Sequence, residues 1–190
     1  MRIAVYPGSF DPLHIGHLAI MEYLTREQAF DWVYLVISPQ NPFKDPSKAI
    51  NAQKRFRDAI AAVKRHPELK VWVDDIELGI PPPNYTIKTL DALKMREPEN
   101  DFTLIIGADN LAGLTRWRSV RKILSDYDIA VYPRRGFDSE KLLQDLHLWC
   151  LGRHIRSKGV RLIDAPLVDI SSTQIRAARA KGKDMSDLLM

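Results

Sequence analysis

Two histidines, His14 and His17, flank Ile15 and Gly16 in the stretch Gly8-Ser9-Phe10-Asp11-Pro12-Leu13-His14-Ile15-Gly16-His17. The apolar run Ile3-Ala4-Val5-Tyr6 precedes it and a helical pattern from Leu18 to Leu24 follows it. A strand, a glycine turn and a helix start are the parts of a phosphate site, because N–H groups of a first helical turn have no partner inside the helix. Imidazoles entering that turn, cationic or hydrogen-bonding, suit a phosphate that gains charge in a transition state. Gly16 between them removes a side chain where a ligand would approach.

A second set lies far along the chain, Ile170-Ser171-Ser172-Thr173-Gln174-Ile175-Arg176. One hydroxyl caps a helix; three in a row exceed that need. Arg176, one turn inward, offers a planar guanidinium suited to phosphate oxygens. The expectation is a second phosphate-binding helix start. Gly107-Ala108-Asp109-Asn110 follows an apolar run, so Gly107 permits close backbone approach and Asp109 can accept ribose hydroxyls. Trp117 stands among Arg116, Arg118 and Arg121, in a segment polar enough for a partly exposed stacking ring. His147, Cys150 and His154 are the alternative metal reading. Gly152 interrupts that pattern and a fourth ligand is lacking, so no metal site made of protein side chains is expected.

These residues need a scaffold that brings strand ends together. Apolar runs predict strands over Arg2–Tyr6, Trp32–Ser38, Val71–Val73, Phe102–Gly107, Ile129–Tyr132 and Val160–Ile163. Several are continuous and rich in Val, Ile and Leu, as in parallel strands covered on both faces. Helical patterns cover Ile15–Gln28, Ala52–His66, Thr86–Met95, Val120–Ser125, Ser139–Leu148 and Thr173–Ala180. In Ala52–His66, Phe56, Ala59, Ile60 and Val63 recur at helical steps with charged residues between, an outer amphipathic helix. The alternation predicts an α/β fold, a doubly wound, mostly parallel Rossmann-like sheet flanked by helices, with its ligand beyond the carboxyl ends of the strands. Proline-rich stretches at 38–46, holding Lys44, and at 81–85, leading into Thr86, read as stiff loops over that site.

The chain has 190 residues, 45% hydrophobic and 27% charged, which suits one domain over 1–190, with 165–190 as a C-terminal helical region. A net charge of +4 is small and dispersed. It suits a small anionic substrate better than nucleic acid, which is not expected as a partner. The single cysteine excludes an internal disulfide framework and, with no signal-like start, points to the cytoplasm. No run approaches the roughly 20 apolar residues of a membrane span, so no membrane partner is expected. A homo-oligomer is left open.

The joint pattern resembles the nucleotidyltransferases with a His-x-Gly-His site, and among them the bacterial nicotinate-nucleotide adenylyltransferases. The resemblance runs over nearly the whole chain: Gly8–Pro12 with His14–His17, Asn41-Pro42-Phe43-Lys44, Asn84-Tyr85-Thr86-Ile87, Ile106–Leu111 with Trp117, and Ile170–Arg176. It implies transfer of the adenylyl group of ATP to nicotinate mononucleotide, giving deamido-NAD and pyrophosphate. Attack would be in line, with no covalent enzyme intermediate and with Mg²⁺ carried on the ATP phosphates. His14, His17 and Arg176 would be catalytic. Gly8, Ser9, Phe10, Gly16, Gly107, Asp109, Ser172 and Thr173 would bind ATP, and Lys44, Thr86, Trp117 and Arg134 the second nucleotide. Many relatives have Ser where Asn84 stands and Asp where Lys88 stands, so these two positions bear on substrate preference. Phosphopantetheine adenylyltransferase, a nicotinamide-preferring enzyme and a nucleotide-binding regulator without activity are the alternatives. The Asn84-Tyr85-Thr86 and Trp117 features are absent from the first. The retained His14, His17, Lys44 and Arg176 argue against the last.

Overall fold

The computed structural model describes residues 1–28, 30–39 and 52–190. Lys44 and the rest of 40–51 lie outside them. Six strands form one sheet: β1 (Arg2–Gly8), β2 (Trp32–Ile37), β3 (Val71–Asp74), β4 (Asp101–Gly107), β5 (Asp128–Tyr132) and β6 (Gly159–Leu162). Their order is β3-β2-β1-β4-β5-β6, and every pairing is parallel. Among the described residues, seven α-helices connect and flank them: α1 (Ile15–Arg26), α2 (Ala52–Val63), α3 (Thr86–Arg96), α4 (Ala108–Leu111), α5 (Val120–Asp126), α6 (Ser139–Leu151) and α7 (Ser172–Ala180).

The alternation of side chains along each strand explains the two layers of helices. On β1, Ile3 and Val5 face one core with Leu90, Leu93, Ile123 and Leu146. Ala4 and Tyr6 face the other, with Ile20, Met21, Leu24 and Ala59. The same split recurs on β2 and β4, so both faces of the central strands are apolar and the runs read as continuous. The chain winds outward from β1 to β3, then returns to lay β4 on the free side of β1. That reversal opens a crevice at the carboxyl ends of β1 and β4, which end on Gly8 and Gly107.

Helix α2 departs from its expected face. Ala59 and Ala62 are buried as the periodicity requires, but so is Arg55. Its guanidinium donates to the carbonyls of Ser9 (2.6 Å), Ser38 (2.9 Å) and Pro39 (3.0 Å). Loop carbonyls without sheet or helix partners drew the cation inward. The alternative metal set also comes apart: α6 stops at Leu151, Gly152 caps it, and His154 sits beyond at φ 51°. No helix among the described residues is long and apolar enough to cross a membrane.

Leu104, fully buried in the centre of β4, gives a direct check on this core. Leu104→Ala is expected to cost about 3 kcal/mol in urea unfolding. A loss below about 1 kcal/mol would mean that β4 is not central.

Candidate active site

The crevice is a cleft of about 480 Å³, the size of a small-molecule site. Gly8, Ser9, Phe10, His14, His17, Thr86, Gly107, Asp109, Trp117, Arg134, Ser172, Thr173 and Arg176 all line it. Gly16 instead faces a second hollow of about 160 Å³, which shares His14, His17, Arg134, Arg135 and Ser171 with the cleft. Its other walls include Pro133, Leu167, Val168 and Ile170.

The histidines cap their own helix. His14 is the N-cap of α1; its Nδ1 accepts the N–H of Gly16 at 3.2 Å, and the N–H of His14 donates to His17 Nδ1 at 3.3 Å. This is a reciprocal capping box made with imidazoles instead of a hydroxyl and a carboxylate. The rings stack, centroids 3.7 Å apart, and Phe10 meets His17 edge-on at 5.1 Å. With both Nδ1 atoms accepting, each ring carries its proton on Nε2, the nitrogen left to donate. Burial first, then the Arg134 charge, lowers the His14 pKa to about 4. Burial, His14 and Arg134 hold His17 well below the usual histidine range. Both rings are therefore neutral donors at pH 7. A Cβ on Gly16 would lie 3.1 Å from the His14 ring, so the missing side chain seats that imidazole as well as opening onto the second hollow.

The open helix start is α7. Ser171 caps it, accepting from the Gln174 N–H at 3.2 Å. No acceptor among the described residues meets the N–H groups of Ser172 and Thr173. Ser172 donates its hydroxyl to the Pro12 carbonyl at 3.0 Å, and Arg176 reaches the Asp11 carbonyl and Thr173 Oγ1. The late motif is thus tied to the early one. A further tie comes from the chain's last described turn: Leu189 bridges His14 in antiparallel fashion and Met190 is buried beside Leu13.

At the end of β4, the space above Gly107 is taken by the Asp109 carboxylate, 2.3 Å from where a Cβ would stand. Arg134 lies 3.5 Å from Asp109 and donates to the Tyr132 hydroxyl at 3.2 Å. It is thereby grouped with Asp109 and, through its field, with the histidines. At the other end, α3 begins without a side-chain cap, its Thr86 and Ile87 N–H groups lacking acceptors among the described residues. Asn84, buried, donates to the carbonyls of Glu77 (3.0 Å) and Ile80 (3.2 Å) and shapes that turn. Lys88 is exposed, bound to the Pro81 carbonyl at 3.3 Å, and is not part of the cleft wall.

Sequence reasoning missed Glu77, Phe137 and Arg118 as cleft residues. Phe137 had a signal, an aromatic beside a glycine just past a strand end, and Gly136 does hold φ +83° there. Glu77 had none; it is buried under Thr89, whose hydroxyl donates to it at 2.7 Å. Among the described residues no three His, Cys, Asp or Glu side chains are grouped to hold a metal ion.

This fold and cleft define a nucleotidyltransferase. The family model described as cytidylyltransferase-like matches residues 5–178. A Flavobacterium johnsoniae protein named "Probable nicotinate-nucleotide adenylyltransferase" is 36% identical over all of this chain and 92% of its own. One of the same name from Bacteroides fragilis is 38% identical over 97% of this chain and 85% of its own. In fold, the chain is similar to a Plasmodium falciparum nicotinic acid mononucleotide adenylyltransferase solved with NaAD. That match has a TM-score of 0.77 at 19% identity, over 98% of this chain and 87% of that one. The chain belongs to the cytidylyltransferase-like family and, within it, to the nicotinate-nucleotide adenylyltransferases.

The histidine geometry fixes a pH dependence. A group that stays neutral when folded but takes a proton when unfolded favours unfolding as pH falls. The stability contributed by His14 is present above pH ~6.5 and is lost as pH drops toward 4. Proton NMR of the free protein is expected to find one histidine titrating near 4, and His14→Gln should flatten the acid limb of the stability curve. A His14 titration near 6.5 would refute the buried, neutral pair.

Proposed function

We infer that this chain transfers the adenylyl group of ATP to nicotinate mononucleotide, producing deamido-NAD and pyrophosphate in NAD biosynthesis. The observation that carries the reading is a single cleft holding two neutral imidazole donors, an open α7 start and an uncapped α3 start. Two anionic ligands can meet there, and full-length relatives bear the name of that activity.

In this reading the phosphate of the mononucleotide attacks the α-phosphorus of ATP in line. The new P–O bond forms as the bond to the β-phosphate oxygen breaks, and pyrophosphate leaves. No side chain becomes covalently bound, so the catalytic work is positioning and charge stabilisation. His14 and His17 donate from Nε2 to the α-phosphate oxygens, whose charge grows in the transition state. Ser172 and Thr173, through their free N–H groups, and Arg176 hold the departing phosphates. Arg134 adds a cation on the ATP side, and Asp109 accepts from the ribose. The apolar walls of the second hollow suit the adenine ring. Mg²⁺ arrives with ATP as part of the substrate, neutralising phosphate charge. The pyridine ring stacks on Trp117, and Thr86 supplies N–H donors to its carboxylate. An oligomeric assembly and a cytoplasmic setting fit this role.

Pyrophosphate release measured with ATP and each acceptor tests the assignment. Nicotinate mononucleotide should be turned over and phosphopantetheine should not; inactivity with both pyridine mononucleotides would overturn it. His17→Ala is expected to lower kcat by about 10²-fold or more with the fold intact, since its donor acts on transition-state charge. Near-normal turnover in that variant would remove His17 from the catalytic group.

A further inference from the structure

The cations on the cleft wall divide into held and unheld. Arg134 meets Asp109 and Tyr132, Arg135 pairs with Asp169, and Arg176 is taken by Asp11 and Thr173. Arg118, exposed on the rim, makes no hydrogen bond or ion pair with the described residues. It follows Trp117 directly. The next residue, Ser119, holds left-handed backbone at φ 55°, ψ 35°, a region few non-glycine residues occupy. That turn sends Val120 into the core while Arg118 stays at the cleft.

The surroundings of Arg118 favour an anion. The uncapped start of α3 contributes free N–H groups and the positive end of its dipole to the same cleft. Glu77, an acid in this wall, is buried and accepts from the Thr89 hydroxyl, and burial raises its pKa. Lys88 is tied back to the Pro81 carbonyl. Among the described residues, Arg118 is therefore the cleft cation left over for a ligand's own negative group.

We propose that Arg118 is a specificity residue on the acceptor side: its guanidinium pairs with the carboxylate on the acceptor ring and sets the preference for the acid over the carboxamide. This rests on nicotinate mononucleotide being the acceptor. A carboxylate gains a charge-assisted, two-pronged contact that a neutral amide cannot match. Free N–H groups on α3 serve either substituent's oxygen, so they orient the ring without distinguishing charge as strongly.

The test is steady-state kinetics of the unaltered enzyme, Arg118→Gln and Arg118→Lys with both mononucleotides, using the amide as a competitive inhibitor where its turnover is too slow. Arg118→Gln is expected to raise KM for the acid about tenfold, and to change KM or Ki for the amide less than twofold. Arg118→Lys should recover part of the loss. Equal shifts for acid and amide, or no shift in either, would overturn the role of Arg118 while leaving the acceptor assignment standing. No turnover of the acid by the unaltered enzyme would overturn that assignment instead.

Discussion

The reciprocal cap between His14 and His17 is the constraint on which the site depends. Each imidazole is held at Nδ1 by a backbone N–H of the same turn, and the two rings stack at 3.7 Å. A side chain that both caps a helix and faces a cleft has little rotational freedom left to lose when a ligand arrives. Burial keeps the pair uncharged, so two like groups can sit in contact without repulsion. Had both been cationic, the stack would have cost Coulomb energy at a distance where screening by salt is small.

Neutral donors are stabilised by what surrounds them. Phe10 covers His17 from one side, and the Cβ-less Gly16 lets the His14 ring lie against the helix start. Leu13 and His14 are in turn pinned by the bridge from Leu189 and the burial of Met190. Arg55 gathers the Ser9, Ser38 and Pro39 carbonyls, joining the histidine loop to the end of β2. Ser172 on Pro12 and Arg176 on Asp11 close the circle from α7. Four separate segments thus converge on one turn, which is how a loop at a strand end acquires the rigidity that catalysis by positioning requires.

Much of this was legible in the sequence because it rests on local rules. Continuous apolar runs such as Trp32–Ser38 and Phe102–Gly107 gave parallel strands with ends correct to within a residue or two. Ser171, as an ordinary N-cap, and Thr86, at a helix start, were visible from residue type and spacing. What escaped was long-range. Arg55 looked like one more charge on an outer helix, because nothing local reveals three loop carbonyls waiting 16 to 46 residues away. The charge state of the histidines was likewise hidden, since it comes from burial and from Arg134, 120 residues after His14. Gly16 was read as making room for a ligand; that its missing side chain also seats the His14 ring could not be read locally. The short helix α4 was not among the predicted helices, its four residues offering too little periodicity to register.

The arrangement of charge follows from topology. Every strand runs the same way, so every loop that follows a strand emerges on the same edge of the sheet. The reversal between β1 and β4 parts those loops into two groups. Glycines end both central strands, and above them lie His14 and His17 on one side and Asp109 with Arg134 on the other. In the cleft most cations of the described residues are matched to a carboxylate or carbonyl, which limits the self-repulsion of a basic pocket. In the proposed reaction, ligand phosphates compete for Arg176 with Asp11 and Thr173. Exchanging one partner for a more highly charged one keeps the guanidinium satisfied throughout, whereas an unpaired cation would have to be desolvated on binding. In the proposed reaction the neutral histidines avoid the exchange altogether, leaving their strongest interaction for the moment when charge accumulates on the oxygens of the phosphate being transferred.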